Sequence, residues 1–262
     1  MSALDYDLLD FGDGLKLERF GSKKLIRPEA GADKQPKHLR NAWVADSTCE
    51  SQGKNVFVWR PNLVPWLISY GDLKLELRLS QSKNIGIFPE QESNWQWLAQ
   101  KIRPGSQILN LFAYTGAASL ICAQKGARVC HVDASKSAVQ WASDNAAVNN
   151  LKNIRWIVED ARIFLKREIA RKHIYDCLIL DPPPFGQASS GNFLFNRDIL
   201  ELLECCRQVL KPQPELFLIN SYAVNLKPQD LRNLVARYFR KQKIEAGELK
   251  IGPLSLSTYA RF

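Results

Sequence analysis

From about Asn84 to Phe262 the sequence alternates short apolar runs of strand length with longer segments of helical periodicity, and this alternation leaves few folds open. Strands are expected near Gln107 to Phe112, Arg128 to Asp133, Ile154 to Val158, Tyr175 to Asp181 and Glu215 to Asn220. Helices are expected between and after them, near Ala117 to Lys125, Lys136 to Val148, Ala161 to Ala170, Arg197 to Leu210 and Pro228 to Phe239. Two more strands, near Lys243 to Leu249 and Ser255 to Phe262, complete a set of seven. Parallel strands need a crossover, usually a helix, so the order predicts a doubly wound, seven-stranded, Rossmann-like α/β domain.

Residues 1–80 read instead as a small β-rich domain, with residues 81–262 forming the larger one. Apolar residues alternate in Leu15-Lys16-Leu17-Glu18 and from Leu73 to Leu79, and Gly21-Ser22 suits a hairpin turn between Leu17 to Phe20 and Leu25 to Arg27. The polar stretch from Pro28 to Arg40 reads as an exposed loop. Charge is uneven: residues 1–80 hold twelve Lys and Arg against eleven Asp and Glu, so +8 of the net +9 lies in residues 81–262. A basic domain attracts phosphate backbones, although a solvated cationic surface gives the same count. Six scattered cysteines without a C-x-x-C pair, and only three histidines, argue against a zinc site and a disulfide scaffold. With no long apolar span and an acidic N-terminus, a cytoplasmic protein without membrane or metal is expected.

Open α/β sheets bind ligands at the carboxyl ends of their strands, so the strand exits are where chemistry is sought. After the first strand, Phe112-Ala113-Tyr114-Thr115-Gly116 offers a turn of small and flexible residues at the start of a helix. Of the G-x-G-x-x-G that a pyrophosphate requires only Gly116 is present, which argues against a dinucleotide dehydrogenase and favours a ligand without phosphates. The second strand ends in Asp133, an acid suited to a ribose diol, and the third in Glu159-Asp160-Ala161, where a carboxylate can accept from an adenine amine or simply cap the next helix. The fourth runs into Asp181-Pro182-Pro183-Pro184-Phe185. This is either a plain proline turn or a rigid set of carbonyls that, with Asp181, accepts hydrogens from a planar amine while Phe185 stacks on its ring.

These residues resemble the S-adenosylmethionine-dependent methyltransferases related to RlmI and RlmK, which modify large-subunit ribosomal RNA. The resemblance is carried by Leu109 to Gly116, Val132-Asp133-Ala134-Ser135, Trp141-Ala142-Ser143-Asp144-Asn145 with Asn149 and Leu151, Glu159-Asp160-Ala161 and Asp181-Pro182-Pro183. Leu17 to Gly21, Ile26 to Glu29 and Gly86 to Gln91 with Asn94 and Trp97 are similar to a subgroup with its own short N-terminal β domain. The resemblance implies S-adenosylmethionine as cofactor, with its methionine part beside Phe112, Ala113, Tyr114, Thr115 and Gly116. The ribose would lie on Asp133 next to Ala134 and Ser135, the adenine near Asp160 and Ala161, with Gln91 closing over the whole. It further implies catalysis at Asp181, Pro182, Pro183 and Phe185, and a ribosomal or other structured RNA as partner. Two departures bear on the substrate. The stretch after the fifth strand, Asn220-Ser221-Tyr222-Ala223, lacks the cysteine that cytosine-carbon methylation uses, which points to an exocyclic amine or another heteroatom. The loop from Gln187 to Asn192 carries no basic residue, which keeps a small molecule or protein open as substrate.

Overall fold

The computed structural model describes residues 3–33, 36–53, 56–187, 191–223 and 225–262, and they divide into two compact units. The first comprises Met1–Glu92 with Lys250–Ser255. Its strands β1 (Tyr6–Gly12), β2 (Leu15–Phe20), β3 (Lys23–Pro28), β4 (Ser47–Ser51) and β5 (Phe57–Arg60) form one sheet in that order, antiparallel except between β3 and β4. A hairpin of β6 (Trp66–Tyr70) and β7 (Leu73–Leu77) stands apart as a second sheet. The expected hairpin at Gly21 is present as β2 and β3, whereas β1, β4, β5 and β6 carry little alternation and were not foreseen. The sheet encloses an ion cluster. Arg27 donates from Nε and Nη2 to the fully buried Glu18 carboxylate at 2.7 and 2.9 Å, with Lys16 Nζ 3.4 Å and the Tyr6 hydroxyl 2.9 Å away.

The segment after β3 is not a free loop. Asp10 accepts backbone N–H groups from Lys37 at 3.0 Å and His38 at 2.9 Å and the Trp43 indole at 3.1 Å, while Ala32 is wholly buried. The chain beyond β7 also stays with this unit, because Arg78 N donates to Ile85 O, Arg27 reaches Lys83 O, and Ala3 N donates to the Glu92 carboxylate. The divide accordingly falls at Glu92, twelve residues beyond the expected end at residue 80.

The second unit comprises Ser93–Leu249 and Leu256–Phe262. After α1 (Glu92–Lys101) come β8 (Gln107–Leu111), α2 (Ala117–Gln124), β9 (Arg128–Asp133), α3 (Lys136–Val148), β10 (Ile154–Val158), α4 (Ala161–Ala170) and β11 (Cys177–Leu180). Two short strands, β12 (Phe185–Gly186) and β13 (Phe193–Leu194), precede α5 (Phe195–Gln208), β14 (Leu216–Ser221), α6 (Pro228–Ala236), β15 (Glu245–Ile251) and β16 (Leu254–Arg261). The seven-stranded sheet runs β10-β9-β8-β11-β14-β16-β15, parallel from β10 to β14 with β16 antiparallel to β14. Every residue of β11 and β14 is buried, as strands covered on both faces must be. Leu109, Leu111, Leu178, Leu180, Phe217 and Ile219 anchor the core, which fixes the strand ends that carry the site. Among the described residues no helix is long and apolar enough to cross a membrane, and no group of three His, Cys, Asp or Glu is placed to hold a metal.

Candidate functional site

The strand register brings the exits to one edge. Leu111 pairs with Val132 and Leu180, Leu180 also with Ile219, and Val158 with Asp133. Phe112, Asp133, Glu159, Asp181 and Asn220 therefore follow or cap adjacent strands. The chain leaves β8 toward β9 and β10 and returns to β11 on the other side of β8, which is the strand-order reversal at which ligands bind in such sheets.

The turn after β8 is held in an uncommon backbone conformation. Phe112, Tyr114 and Gly116 have φ of 55°, 49° and 90°, the left-handed region that side chains other than glycine seldom enter. At Gly116 a Cβ would lie 2.9 Å from Ala142 Cβ and 3.0 Å from Leu120 Cδ1, so the close packing of α2 and α3 requires glycine there. The turn is sewn down at three points: Ala113 N donates to Val132 O at 3.1 Å, Tyr114 N to Asp133 Oδ2 at 2.8 Å, and the buried Asn145 Nδ2 to Thr115 O at 3.2 Å. The Tyr114 and Trp141 rings lie 6.4 Å apart. Beneath it runs a buried polar chain, in which Asn110 Nδ2 donates to Ser119 Oγ at 2.8 Å and Ser119 Oγ lies 3.0 Å from His131 Nδ1. Burial pushes His131 down to about 3, so its ring stays neutral at physiological pH.

Asp133 sits at the centre. Its Oδ2 accepts from Tyr114 N and its Oδ1 from Ser135 N, both at 2.8 Å, and Ser135 Oγ in turn caps α3 by accepting from Ala138 N at 3.2 Å. Burial raises the Asp133 carboxyl above the usual range, against the pull of those two N–H donors. Ala134 and Ser135 are exposed beside it. A carboxylate offers about four lone-pair sites, and the two backbone donors orient the group toward further donors such as a vicinal diol.

Asp160 is the N-cap of α4, its Oδ1 accepting from Arg162 N at 2.7 Å, and Ala161 behind it is buried. The Arg162 guanidinium grips the same carboxylate, Nη2 to Oδ2 at 2.7 Å, and also donates to Gly191 O at 2.8 Å and lies 5.9 Å over the Phe193 ring. The capping alternative left open by the sequence is thus realised, and an adenine amine would share this carboxylate with Arg162. Phe193 packs 5.3 Å from Phe112, which ties the segment after β11 to the turn after β8.

Asn220 at the end of β14 donates its amide to the Asp181 carboxylate, and Asp181 N donates to Leu111 O at 3.3 Å. Pro182 is buried and Pro183 partly so, the Pro184 carbonyl accepts from Phe195 N at 3.1 Å, and half of Phe185 is exposed on β12. Residues 188–190, within the loop expected to be poor in charge, lie outside the described residues. Gln91 closes a buried 3₁₀ turn, Pro89–Gln91, of the first unit. Sequence reasoning missed the partnership of Asn220 with Asp181, the tie from Asn145, and Arg162 and Phe193 as anchors. Asn220 carried a local signal as a polar residue at a strand exit, and Asn145 one as part of the motif that carries the family resemblance.

All six thiols are free, and only Cys205 is not fully buried. Burial raises each of them, Cys49 and Cys130 to about 11 and Cys177 to about 12, so none is poised as a thiolate.

A mixed seven-stranded sheet with this strand order, a glycine-bounded turn after its first strand and an acid at the end of the second have the form of a Rossmann-like methyltransferase domain. The sequence model of the S-adenosylmethionine-dependent methyltransferases matches residues 13–238, and the chain belongs to that family. Its cofactor is S-adenosylmethionine, and the Gly116 cradle and the oriented Asp133 carboxylate fit that group. The crystal structure of a S-adenosylmethionine-dependent methyltransferase from Agrobacterium tumefaciens is 33% identical, covers 98% of this chain and 90% of that one, and superposes with a TM-score of 0.91. A methyltransferase from Streptococcus mutans, 19% identical, shares the fold with a TM-score of 0.81 over all of this chain and 75% of its own. The ribosomal RNA large subunit methyltransferase K/L of Pseudoalteromonas translucida is 31% identical over 56% of this chain and 21% of its own length. That of Marinobacter nauticus is 29% identical over 70% of this chain and 24% of its own. The chain spans a fifth to a third of the length of such curated relatives.

Proposed function

We propose that the chain methylates a base of large-subunit ribosomal RNA or another structured RNA in the cytoplasm, at an exocyclic amine, using the second unit as its catalytic domain and the first as a small accessory domain. The observation that carries this reading is the polar pair of Asp181 and Asn220 beside the exposed Phe185, in a chain whose thiols are all raised by burial. The names of the curated relatives support the substrate class.

The cofactor supplies an electrophilic methyl on a sulfonium, and what the chain must add is alignment and exclusion of water. The turn from Phe112 to Gly116 would hold the methionine part, Asp133 with Ala134 and Ser135 the ribose, and Asp160 with Ala161 the adenine. Asp181, held by Asn220, would accept one hydrogen of the target amine and so aim the nitrogen lone pair, and the Pro182 and Pro183 carbonyls would take the other. Asp181 or water would take up the proton that the nitrogen loses once methylated. Phe185 would stack on a base that is unstacked or already single-stranded.

The test is transfer of labelled methyl to total RNA, total protein and metabolite extracts from cells lacking the gene. Label in RNA as an N-methylated base is expected. Label in protein or small molecules instead, or 5-methylcytosine as product, would overturn the reading.

A further inference from the structure

Cations that lie on helices of this fold are not equivalent. On α4, Arg162 pairs with Asp160 at 2.7 Å, Lys166 with Glu201 at 3.2 Å, Arg167 with Glu159, and Arg171 with Glu168 at 3.0 Å. Arg162, Lys166 and Arg167 of α4 and Arg171 at its C-cap are therefore already matched by carboxylates.

The segment from Arg232 to Lys243 is different. It holds Arg232, Arg237, Arg240, Lys241 and Lys243 with no Asp or Glu among them. All five are exposed, and among the described residues none makes an ion pair. Leu231, Val235 and Phe239, spaced by four, are buried on the opposite side, and Phe239 N still donates to Val235 O, so the helical path continues past the end of α6. That side is locked: Phe239 packs 4.7 Å from Phe217 and 5.2 Å from Phe262, and the Tyr238 hydroxyl donates to Leu200 O at 3.0 Å. The cations thus project from a rigid support.

We infer that Arg232, Arg237, Arg240, Lys241 and Lys243 form a docking track for the phosphate backbone of the RNA substrate. The inference rests on the RNA reading above and adds where the nucleic acid is gripped. Unpaired cations release condensed counterions from the RNA without first losing an intramolecular partner, so they contribute more to binding than the paired cations of α4. Phosphate contacts of this kind position a substrate without reading its sequence.

The experiment compares the full chain with two variants of equal charge loss: Arg237→Gln/Arg240→Gln/Lys241→Gln in the track, and Lys166→Gln/Arg167→Gln/Arg171→Gln on α4. Binding to a large-subunit ribosomal RNA transcript is measured across a salt series, with calorimetry on S-adenosylhomocysteine as the check of folding. The track variant should keep its cofactor affinity, lose about tenfold or more in RNA affinity at low salt, and flatten the log–log salt slope by about 2, at roughly 0.7 per phosphate for single-stranded contacts. The α4 variant should change the slope by less than half as much. Equal effects of the two triples, or no effect of the track triple on an RNA that the parent chain binds, would overturn the track while leaving the RNA reading intact. A parent chain with no salt-dependent RNA affinity would overturn both. Capture by phosphatidylserine vesicles in place of RNA would reassign the track to a membrane surface.

Discussion

Asp133 provides the most direct probe of the cofactor site, because its two oxygens do two things at once. Each accepts a backbone N–H at 2.8 Å, from Tyr114 and from Ser135, and the remaining lone pairs are what a ribose diol would meet. Asp133→Ala removes the charged acceptor, and a hydrogen bond to a charged group is worth about 1.5–3 kcal/mol, so the dissociation constant for S-adenosylhomocysteine should rise about 10- to 150-fold. The same change strands the Tyr114 N–H in a turn whose φ of 49° it helps to hold, which should lower stability by about 1–2 kcal/mol. Asp133→Asn is no mild substitute. Both backbone neighbours are donors, so the new amide must turn its NH₂ toward one of them, and it should lose stability comparably while recovering only part of the affinity. The assay is titration calorimetry paired with thermal melting. An Asp133→Ala protein that melts cooperatively and binds S-adenosylhomocysteine with unchanged affinity would refute the placement of the ribose on this carboxylate.

The remaining expectations concern separate parts of the chain. Because burial raises the Asp133 carboxyl, the folded state holds this proton more tightly than the unfolded one, so the group favours the folded state as pH falls even while cofactor affinity drops. Calorimetry against pH should show affinity declining from above the ordinary carboxylate range. Burial alone would raise Glu18, but Arg27 and Lys16 bring it down to about 2, so its contribution is present above the unfolded carboxylate value and is lost as pH falls toward 2. Glu18→Gln should cost about 3–5 kcal/mol at neutral pH by leaving Arg27 buried without its counter-ion, as read by denaturant unfolding. Gly116→Ala places a Cβ 2.9 Å from that of Ala142 at a φ of 90°, and should lower stability by about 2–4 kcal/mol and weaken cofactor binding together. Asn220→Ala should lower kcat with little change in cofactor affinity if Asn220 only aims Asp181, and equal loss of both would contradict that division.

What the sequence made legible follows from locality. β9, β10, α3 and α4 take the expected bounds because β9 and β10 are short stretches rich in β-branched and aromatic residues between polar segments, and because Ser135 and Asp160 mark the helix starts by side-chain capping. α1 escaped because Glu92–Lys101 buries only Asn94, Trp95 and Leu98 and lacks a marked N-cap. β12 and β13, two residues each, are set by their pairing with one another and leave no periodic trace. Site residues divide in the same way. Asp133 and Asp181 lie at ends of strands readable one at a time, whereas Asn220 becomes a partner of Asp181 only once Leu180 is in register with Ile219, a relation between segments about forty residues apart. Arg162 gives no sign of being an anchor, because its grip on Gly191 crosses an interval that local pattern does not span.

The same contrast explains why the turn after β8 marks the site more firmly than any single acid does. Left-handed backbone at Phe112 and Tyr114 is costly by about 1–2 kcal/mol per residue and persists only where surrounding structure imposes it. Here the imposing groups are Asp133, Asn145 and the Val132 carbonyl, which lie on β9 and α3 and hold the turn from outside. A turn needed merely to connect β8 to α2 would relax to ordinary φ values, since short strand-to-helix connections have many unstrained forms. The strain is therefore best accounted for by what it exposes: backbone brought close to a ligand at the strand-order reversal, with Gly116 clearing the space behind it. On this argument Asn145 is part of the site because it holds the backbone of the turn. Asn145→Leu, which keeps the volume and removes the donor to Thr115, should weaken S-adenosylhomocysteine binding several-fold beyond its effect on melting temperature. If binding falls only in step with stability, the turn is a scaffold feature and the reasoning from strain to site fails.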